Sequence, residues 1–475
     1  MTVDRIHQTR QEELYRSLPS VNEVLLAPEL QKQMEAHGHE AVVAAIRGCL
    51  AEIRAEIAAA EISGDEMKLE IGSVSRRVSE ILQRGPEYSL RAVINATGVV
   101  LHTNLGRAPL SEAALAHVVD VARDYCNLEF DLETGERSKR DVHAEGLLLR
   151  VLGVAEGAGT CWSAVVVNNC AAATFLALNT LAEKREVVVS RGELVEIGGG
   201  FRIPEILEKS GAALHEVGTT NRTRAADYEN AVNEQTALLL RVHQSNFSIE
   251  GFVERPLLKE LVELAKTLGV PLFEDLGTGL VSRLDEAGIA NQPTLLESIR
   301  AGVDLVAVSG DKLLGGPQCG LLVGRTDLIA RIRKNPLLRA FRVDKLTYAA
   351  LEATLFEYLT GSREALPLMR MLDIPAEAIE KRCRAIVDSL RSARVTATGI
   401  EVESVVGGGT APNARLKSHA VSVRHSLLAA DELLKKLRGG DPPVVGRICE
   451  DAVVLDLRTV PAEMDDTIAR AIDQL

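Results

Sequence analysis

The sequence predicts an α/β fold: a large, mostly parallel sheet with helices on both faces, followed by a small α+β domain and preceded by a small all-helical one. Three observations carry this. From about 160 to 325, apolar runs at 164–167, 187–189, 238–242, 271–273, 305–308 and 321–323 alternate with helix-length amphipathic segments such as 257–268, the pattern of βα units. Before about residue 85 the apolar spacing is helical throughout. After about 360, helices at 376–392 and 430–437 mix with short strands at 420–423, 444–447 and 453–457. The expected domains are 1–85, 86–360 and 361–475.

In the N-terminal stretch, Ser20 and Glu23 have capping-box spacing, so a helix is expected to start after Pro19. Val42, Ile46, Cys49, Leu50, Ile53 and Ile57 share one face of a helix. Ser63-Gly64-Asp65 reads as a turn, and a further helix over 67–83 carries Lys68, Arg76 and Arg77, with Arg84 just beyond it. These charges fit either the solvated face of a helical bundle or oligomer arm, or an RNA-contacting module. Gly85-Pro86 is the expected linker.

With 475 residues, the chain exceeds the usual size of one domain, about 100–200 residues. No run of about 18 apolar residues suggests a membrane span. The start, Met1-Thr2-Val3-Asp4-Arg5, lacks the plan of a signal peptide, so a cytoplasmic location is expected. Seven cysteines without a Cys-x-x-Cys pair speak against a disulfide framework or a zinc site, and no metal is expected. The net charge of −13 argues against indiscriminate nucleic-acid binding, though not against a local basic patch.

The chemistry centres on Ser309-Gly310-Asp311-Lys312, followed by Leu313-Leu314-Gly315-Gly316-Pro317-Gln318. The apolar runs on either side are joined by too short a loop for a parallel return, so they are expected to be antiparallel. Lys312 is thereby held on a glycine-rich bend at a sheet rim. Lysine forms Schiff bases with carbonyls, and pyridoxal phosphate is the commonest biological carbonyl of that kind. Ser309 could give its hydroxyl to the cofactor phosphate. Asn169-Cys170-Ala171 follows the 164–167 strand and opens a helix, where small side chains let backbone amides approach a phosphate. Asp275 ends the 271–273 strand and can pair with the ring nitrogen. His243 and Ser245 end the 238–242 strand, offering donors to the ring hydroxyl or a surface for stacking. In doubly wound sheets ligands sit outside such strand ends. A phosphate-type loop, a polar strand end, an aspartate and then a lysine is the chain order of the aspartate aminotransferase-like pyridoxal-phosphate enzymes.

The sequence resembles bacterial selenocysteine synthase, the L-seryl-tRNA(Sec) selenium transferase family, nearly end to end. The resemblance is carried by Ile94-Asn95-Ala96-Thr97-Gly98, by Thr103-Asn104-Leu105-Gly106-Arg107-Ala108-Pro109-Leu110 and by Asn127-Leu128-Glu129. Asp131-Leu132-Glu133-Thr134-Gly135-Glu136-Arg137, Val217-Gly218-Thr219-Thr220-Asn221-Arg222-Thr223, the Lys312 motif and Gly407-Gly408-Gly409 extend it. Cys170 departs from it, the family more often having asparagine there. The resemblance implies a fold type I pyridoxal 5′-phosphate enzyme, with Lys312 holding the cofactor and then acting as base, and Asp311 assisting proton transfer. It also implies loss of the serine hydroxyl from seryl-tRNA(Sec) to give dehydroalanyl-tRNA, and addition of selenium from selenophosphate. Arg107, Arg339 and Arg342 match positions thought to hold the selenophosphate anion, and the spacing of the last two could place them on one helical face. A tRNA-recognising N-terminal domain and a homo-oligomeric ring of dimers, a decamer, are further implications.

Two rival readings remain at this stage. One is a pyridoxal-phosphate ammonia-lyase for a small phosphorylated amino sugar, expected to lack the N-terminal helical domain. The other is a tRNA-binding protein with a dead catalytic core.

Overall fold

The computed structural model describes residues 15–58, 71–84, 88–154, 162–196, 200, 202–284, 289 and 292–475. The chain divides into two compact units, Met1–Ala92 and Val93–Leu475.

The first unit is helical. Helices Val21–Leu25, Pro28–His37, His39–Ala58 and Ile71–Arg84 surround one small core. The Ser20 side chain accepts from the backbone of Glu23, whose carboxylate accepts from the Ser20 N–H, so both halves of the expected capping box are present. Val42, Ile46, Cys49, Leu50, Ile53 and Ile57 are all buried, joined by Val24, Leu30, Val74 and Val78. The turn at Ser63-Gly64-Asp65, Lys68, the first turn of the helix expected over 67–83, the Arg84 side chain and the Gly85-Pro86 linker lie outside the described residues.

Among its described residues, the second unit is built on thirteen strands: β1 (Ile94–Asn95), β2 (Trp162–Val167), β3 (Glu186–Ser190), β4 (Ala213–Val217), β5 (Thr236–Val242), β6 (Leu272–Gly277), β7 (Leu305–Ser309), β8 (Gly320–Arg325), β9 (Val395–Val405), β10 (Arg415–His425), β11 (Val444–Val445), β12 (Arg447–Cys449) and β13 (Ala452–Asp456). The large sheet runs β2-β8-β7-β6-β5-β3-β4. Pairs from β7 across to β4 are parallel, while β8 is antiparallel to both neighbours, as the short Lys312 loop requires. Two cores, one on each face, pack helices against it. Each apolar run of this sheet read as a strand overlaps one, the run at 271–273 starting one residue before β6. The sequence reading missed β4, an edge strand whose half-exposed residues form no apolar run.

A four-stranded antiparallel sheet, β12-β13-β10-β9, carries the C-terminal core beneath helices Ala376–Ser389, Ala430–Arg438 and Asp465–Asp473. The eleven-residue strand β9 was missed because it alternates polar and apolar residues and is largely solvated. The single strand expected at 444–447 is two. Of these, β11 pairs in parallel with β1, and β12 pairs with β13. Through β1, and through bridges from Thr97 to Asp456 and Val99 to Val405, the chain from 94 to 99 lies against the C-terminal sheet. No helix among the described residues is long and apolar enough to cross a membrane.

Ile46 is wholly buried at the centre of the helical unit. Ile46→Ala should therefore cost that unit roughly 2–5 kcal/mol, which urea unfolding of the full chain followed by circular dichroism would register as an earlier helical transition.

Candidate active site

The strand ends β2, β5, β6 and β7 and the bend between β7 and β8 enclose a cavity of about 250 Å³. It is lined by Arg107, Asn169, Cys170, Ala171, His243, Ser245, Asp275, Ser309, Asp311 and Lys312, together with Leu276, Gly277 and Gln318. Of the twelve residues expected at the site, ten thus converge, and Arg339 and Arg342 do not.

The bend is fixed by its own backbone. Gly310 N–H donates to Cys319 O at 2.8 Å, Gly316 N–H to Gly310 O at 2.9 Å and Leu313 N–H to Thr278 O at 2.9 Å. Leu313 and Leu314 are buried beneath it, which leaves Lys312 pointing to the cavity with 6% of its surface exposed. Burial lowers the Lys312 pKa, since desolvation disfavours the ammonium. Asp311 is equally buried and accepts from Arg107 Nη1 at 2.9 Å. Arg107 reaches it from a tight turn in which Gly106 and Arg107 are both left-handed and the Arg107 N–H donates to His102 O.

Asp275 is 4% exposed at the end of β6. Burial raises its pKa, opposed by a hydrogen bond from Thr174 Oγ1 to Oδ2 at 2.9 Å, by the Lys312 charge and by the Cys170 thiol, 3.6 Å from Oδ1. The Cys170 thiol is itself pushed well up by burial and by the Asp275 charge, so it stays an S–H donor. His243 donates its backbone N–H to Asp275 O at 2.9 Å, and its Nε2 lies 3.2 Å from Gln292 Oε1. Burial pulls its pKa down to about 4, so the ring is neutral at neutral pH. Asn169 caps helix Cys170–Ala182 through a bond from Ala172 N–H to Oδ1 at 2.8 Å. Its side chain is thereby committed, and what the helix start offers an anion is its backbone amides.

Arg339 and Arg342 stand apart. Helix Leu338–Phe341 has only four residues and Arg342 follows it in extended conformation, so the two do not share a helical face. Arg342 lies 3.6 Å from Glu129, which also accepts from Arg137 and Arg140. Phe341 O accepts the Asn168 N–H at 2.9 Å, which keeps this segment beside the loop leading to Asn169.

Sequence reasoning missed several residues. Gly277 has φ 67°, and a side chain there would stand 3.6 Å from Asp275 Oδ1 and 4.0 Å from Lys312 Nζ, in the space between them. Gly409, part of a string already noted, comes from the C-terminal domain to within 3.0 Å of Lys312 Nζ, measured from where its Cβ would be. Thr174 was findable, being one helical turn beyond Cys170. Gln292 and Glu193 gave no signal. Glu193 is 7% exposed beside β5, accepts the Val242 N–H at 2.9 Å and is raised to about 7 by burial.

The residues present fit pyridoxal phosphate. A buried carboxylate, a buried amine and a neutral imidazole line one cavity, and a helix start at its edge supplies amides for a phosphate. Among the described residues, no group of three or more His, Cys, Asp or Glu is arranged to hold a metal ion. The fold and the site define a pyridoxal-phosphate-dependent enzyme of fold type I. The profile described as L-seryl-tRNA selenium transferase matches residues 93–461, and that described as Selenocysteine synthase N terminal matches residues 15–54. The chain belongs to the L-seryl-tRNA(Sec) selenium transferase family. It is 44% identical to the transferase of that name from Carboxydothermus hydrogenoformans over 98% of both chains. It is 43% identical to the Aquifex aeolicus protein of the same name over 97% of this chain and 99% of the relative. Among solved structures, D-glucosaminate-6-phosphate ammonia-lyase matches with a TM-score of 0.56 and 20% identity over 83% of this chain and 97% of that one, a likeness of fold alone.

Glu193 gives a pH signature. Between pH 4.5 and about 7 the folded state keeps a proton there that the unfolded state has lost, so this contribution is full below 4.5 and fades as pH rises through 7. Across that window the melting temperature of the wild type should fall more steeply with pH than that of Glu193→Gln, as measured by calorimetry of both proteins.

Proposed function

We propose that this chain converts seryl-tRNA(Sec) to selenocysteinyl-tRNA(Sec), removing the serine hydroxyl to leave a dehydroalanyl ester and adding selenium from selenophosphate. The observation that carries the reading is a single cavity lined by the buried Lys312 and Asp275, in a chain that belongs to this family over nearly its whole length. Bound pyridoxal phosphate supplies a carbonyl for the substrate amine and a sink for the electrons released at Cα.

The chain's own residues do the rest. Asp275 holds a proton at the ring nitrogen by keeping its negative charge beside it. Lys312, its pKa lowered by burial, has more of its amine neutral near pH 7 and takes the Cα proton. Asp311, held by Arg107, sits beside that amine and steadies the lysine as it gains and gives up the proton. His243 would line the cofactor as a neutral ring, and Ser245 and Ser309 would offer it hydroxyl donors from the same cavity. The amides of Cys170 and Ala171, with Asn169 shaping their turn, take the cofactor phosphate. Arg107 is the arginine placed in the cavity to meet the selenophosphate anion. Arg339 and Arg342 would join it only if their segment closes toward the cavity.

We assign tRNA recognition to the helical N-terminal unit, where Arg76 is exposed, with contacts by shape and phosphate as A-form RNA demands. A homo-oligomeric assembly, a ring of dimers, fits the exposed apolar side chains Leu115 and Val119, one turn apart on helix Glu112–Arg123, and nearby Tyr125, Phe130 and Leu132. A cytoplasmic site of action follows from the substrates. The amino-sugar ammonia-lyase reading rests on fold likeness alone.

Incubating the cofactor-loaded protein with seryl-tRNA(Sec) and selenophosphate should yield selenocysteinyl-tRNA(Sec), and Lys312→Ala should reduce the yield by at least about a thousandfold. A loaded wild-type protein that yields none, or that instead releases ammonia from an amino-sugar phosphate, would overturn the assignment.

A further inference from the structure

We propose that Thr174 and Cys170 are positioning residues for Asp275, together holding its carboxylate charged and turned toward the cofactor ring. The inference rests on the reading that pyridoxal phosphate binds between Asp275 and Lys312.

The two side chains stand four residues apart on helix Cys170–Ala182, hence on one face of it, and that face lies under the end of β6. Each gives a hydrogen to a different carboxylate oxygen: Thr174 Oγ1 to Oδ2 at 2.9 Å, and Cys170 Sγ to Oδ1 at 3.6 Å. Thr174 has no exposed surface at all, so its hydroxyl is shut away from water. Two other helical threonines, one half-buried and one buried, turn the hydroxyl back on their own helix. Thr180 donates to Leu176 O and Thr354 to Ala350 O, each at 2.7 Å. Thr174 instead gives its hydroxyl across to the neighbouring strand.

The physical need is plain. A carboxylate buried this deeply is driven toward its neutral form, and a neutral Asp275 cannot hold a proton on a ring nitrogen. The Thr174 hydroxyl is the largest influence opposing that drive. Two donors on fixed atoms also stop the carboxylate from rotating, which leaves its remaining lone pairs directed into the cavity. A thiol can serve as the second donor because it is kept protonated where it sits.

Thr174→Val keeps the shape and removes the donor. Pyridoxal phosphate affinity, titrated by the visible absorbance of the bound cofactor, should fall roughly 10- to 100-fold, the loss expected for one hydrogen bond to a charged group. The loss should deepen as pH falls, because the variant's Asp275 takes up a proton at higher pH than the wild type's, so the acid limb of the affinity profile moves upward. Thr174→Ser should restore both, and Cys170→Ala should shift both less and in the same direction. If Thr174→Val binds and titrates like the wild type, or if Thr174→Ser is as defective as Thr174→Val, the positioning role is wrong and the contact is only packing. Should Thr174→Val fail to fold, the Cys170→Ala and Thr174→Ser profiles decide alone: Cys170→Ala unshifted, or Thr174→Ser shifted, rejects the role. A wild type that binds no pyridoxal phosphate would instead sink the reading beneath it.

Discussion

Much of this fold answers one electrostatic constraint: a carboxylate at the end of β6 and an amine on the bend after β7 are both buried, yet must stay separated by open space. Each would rather be neutral or wet. The carboxylate is stabilised by hydroxyl and thiol donors from a helix on the sheet's flank, the amine by acidic neighbours on either side in the chain's folded state. Two glycines, one from the sheet and one from the C-terminal domain, keep side chains out of the space between and beside them. A cofactor that brings a ring nitrogen, a phosphate and a carbonyl satisfies both groups at once.

The large sheet turns that constraint into geometry. Parallel strands β5, β6 and β7 end at one rim, so residues separated by dozens of positions meet there. The antiparallel strand β8 is what allows a bend short and rigid enough to aim a lysine. Its glycines bond within the bend, Gly316 N–H to Gly310 O and Gly315 N–H to Lys312 O, and the Leu313 N–H donates to Thr278 O of the neighbouring loop. The C-terminal sheet closes the other side. It captures the chain at 94–99, which leads directly to the left-handed turn that offers Arg107 to Asp311.

The acidic overall charge is no obstacle to an anionic substrate in such a design. The site presents its cations locally, at Arg107 and Lys312, while Arg342 lies beside Glu129 with Arg137 and Arg140.

By itself the sequence determined most of the architecture and named ten residues that line one cavity, because those features leave local marks. Buried parallel strands read as apolar runs, the capping box at Ser20 as a spacing, and the lysine bend as glycines between two such runs. The tertiary structure alone decided what depends on who faces whom. The solvated strands β4 and β9 had no apolar run to betray them. The one-turn spacing of Arg339 and Arg342 suggested a shared face, yet the helix stops at Phe341 and Arg342 is extended, 3.6 Å from Glu129. Gly409 lies 97 positions from Lys312 and meets it only through the tertiary packing of one compact unit. Thr174 looked like any helical threonine until its hydroxyl was seen to cross to Asp275. Local order is written in neighbours along the chain, whereas a buried charge is stabilised by neighbours in space, and those no spacing rule can name.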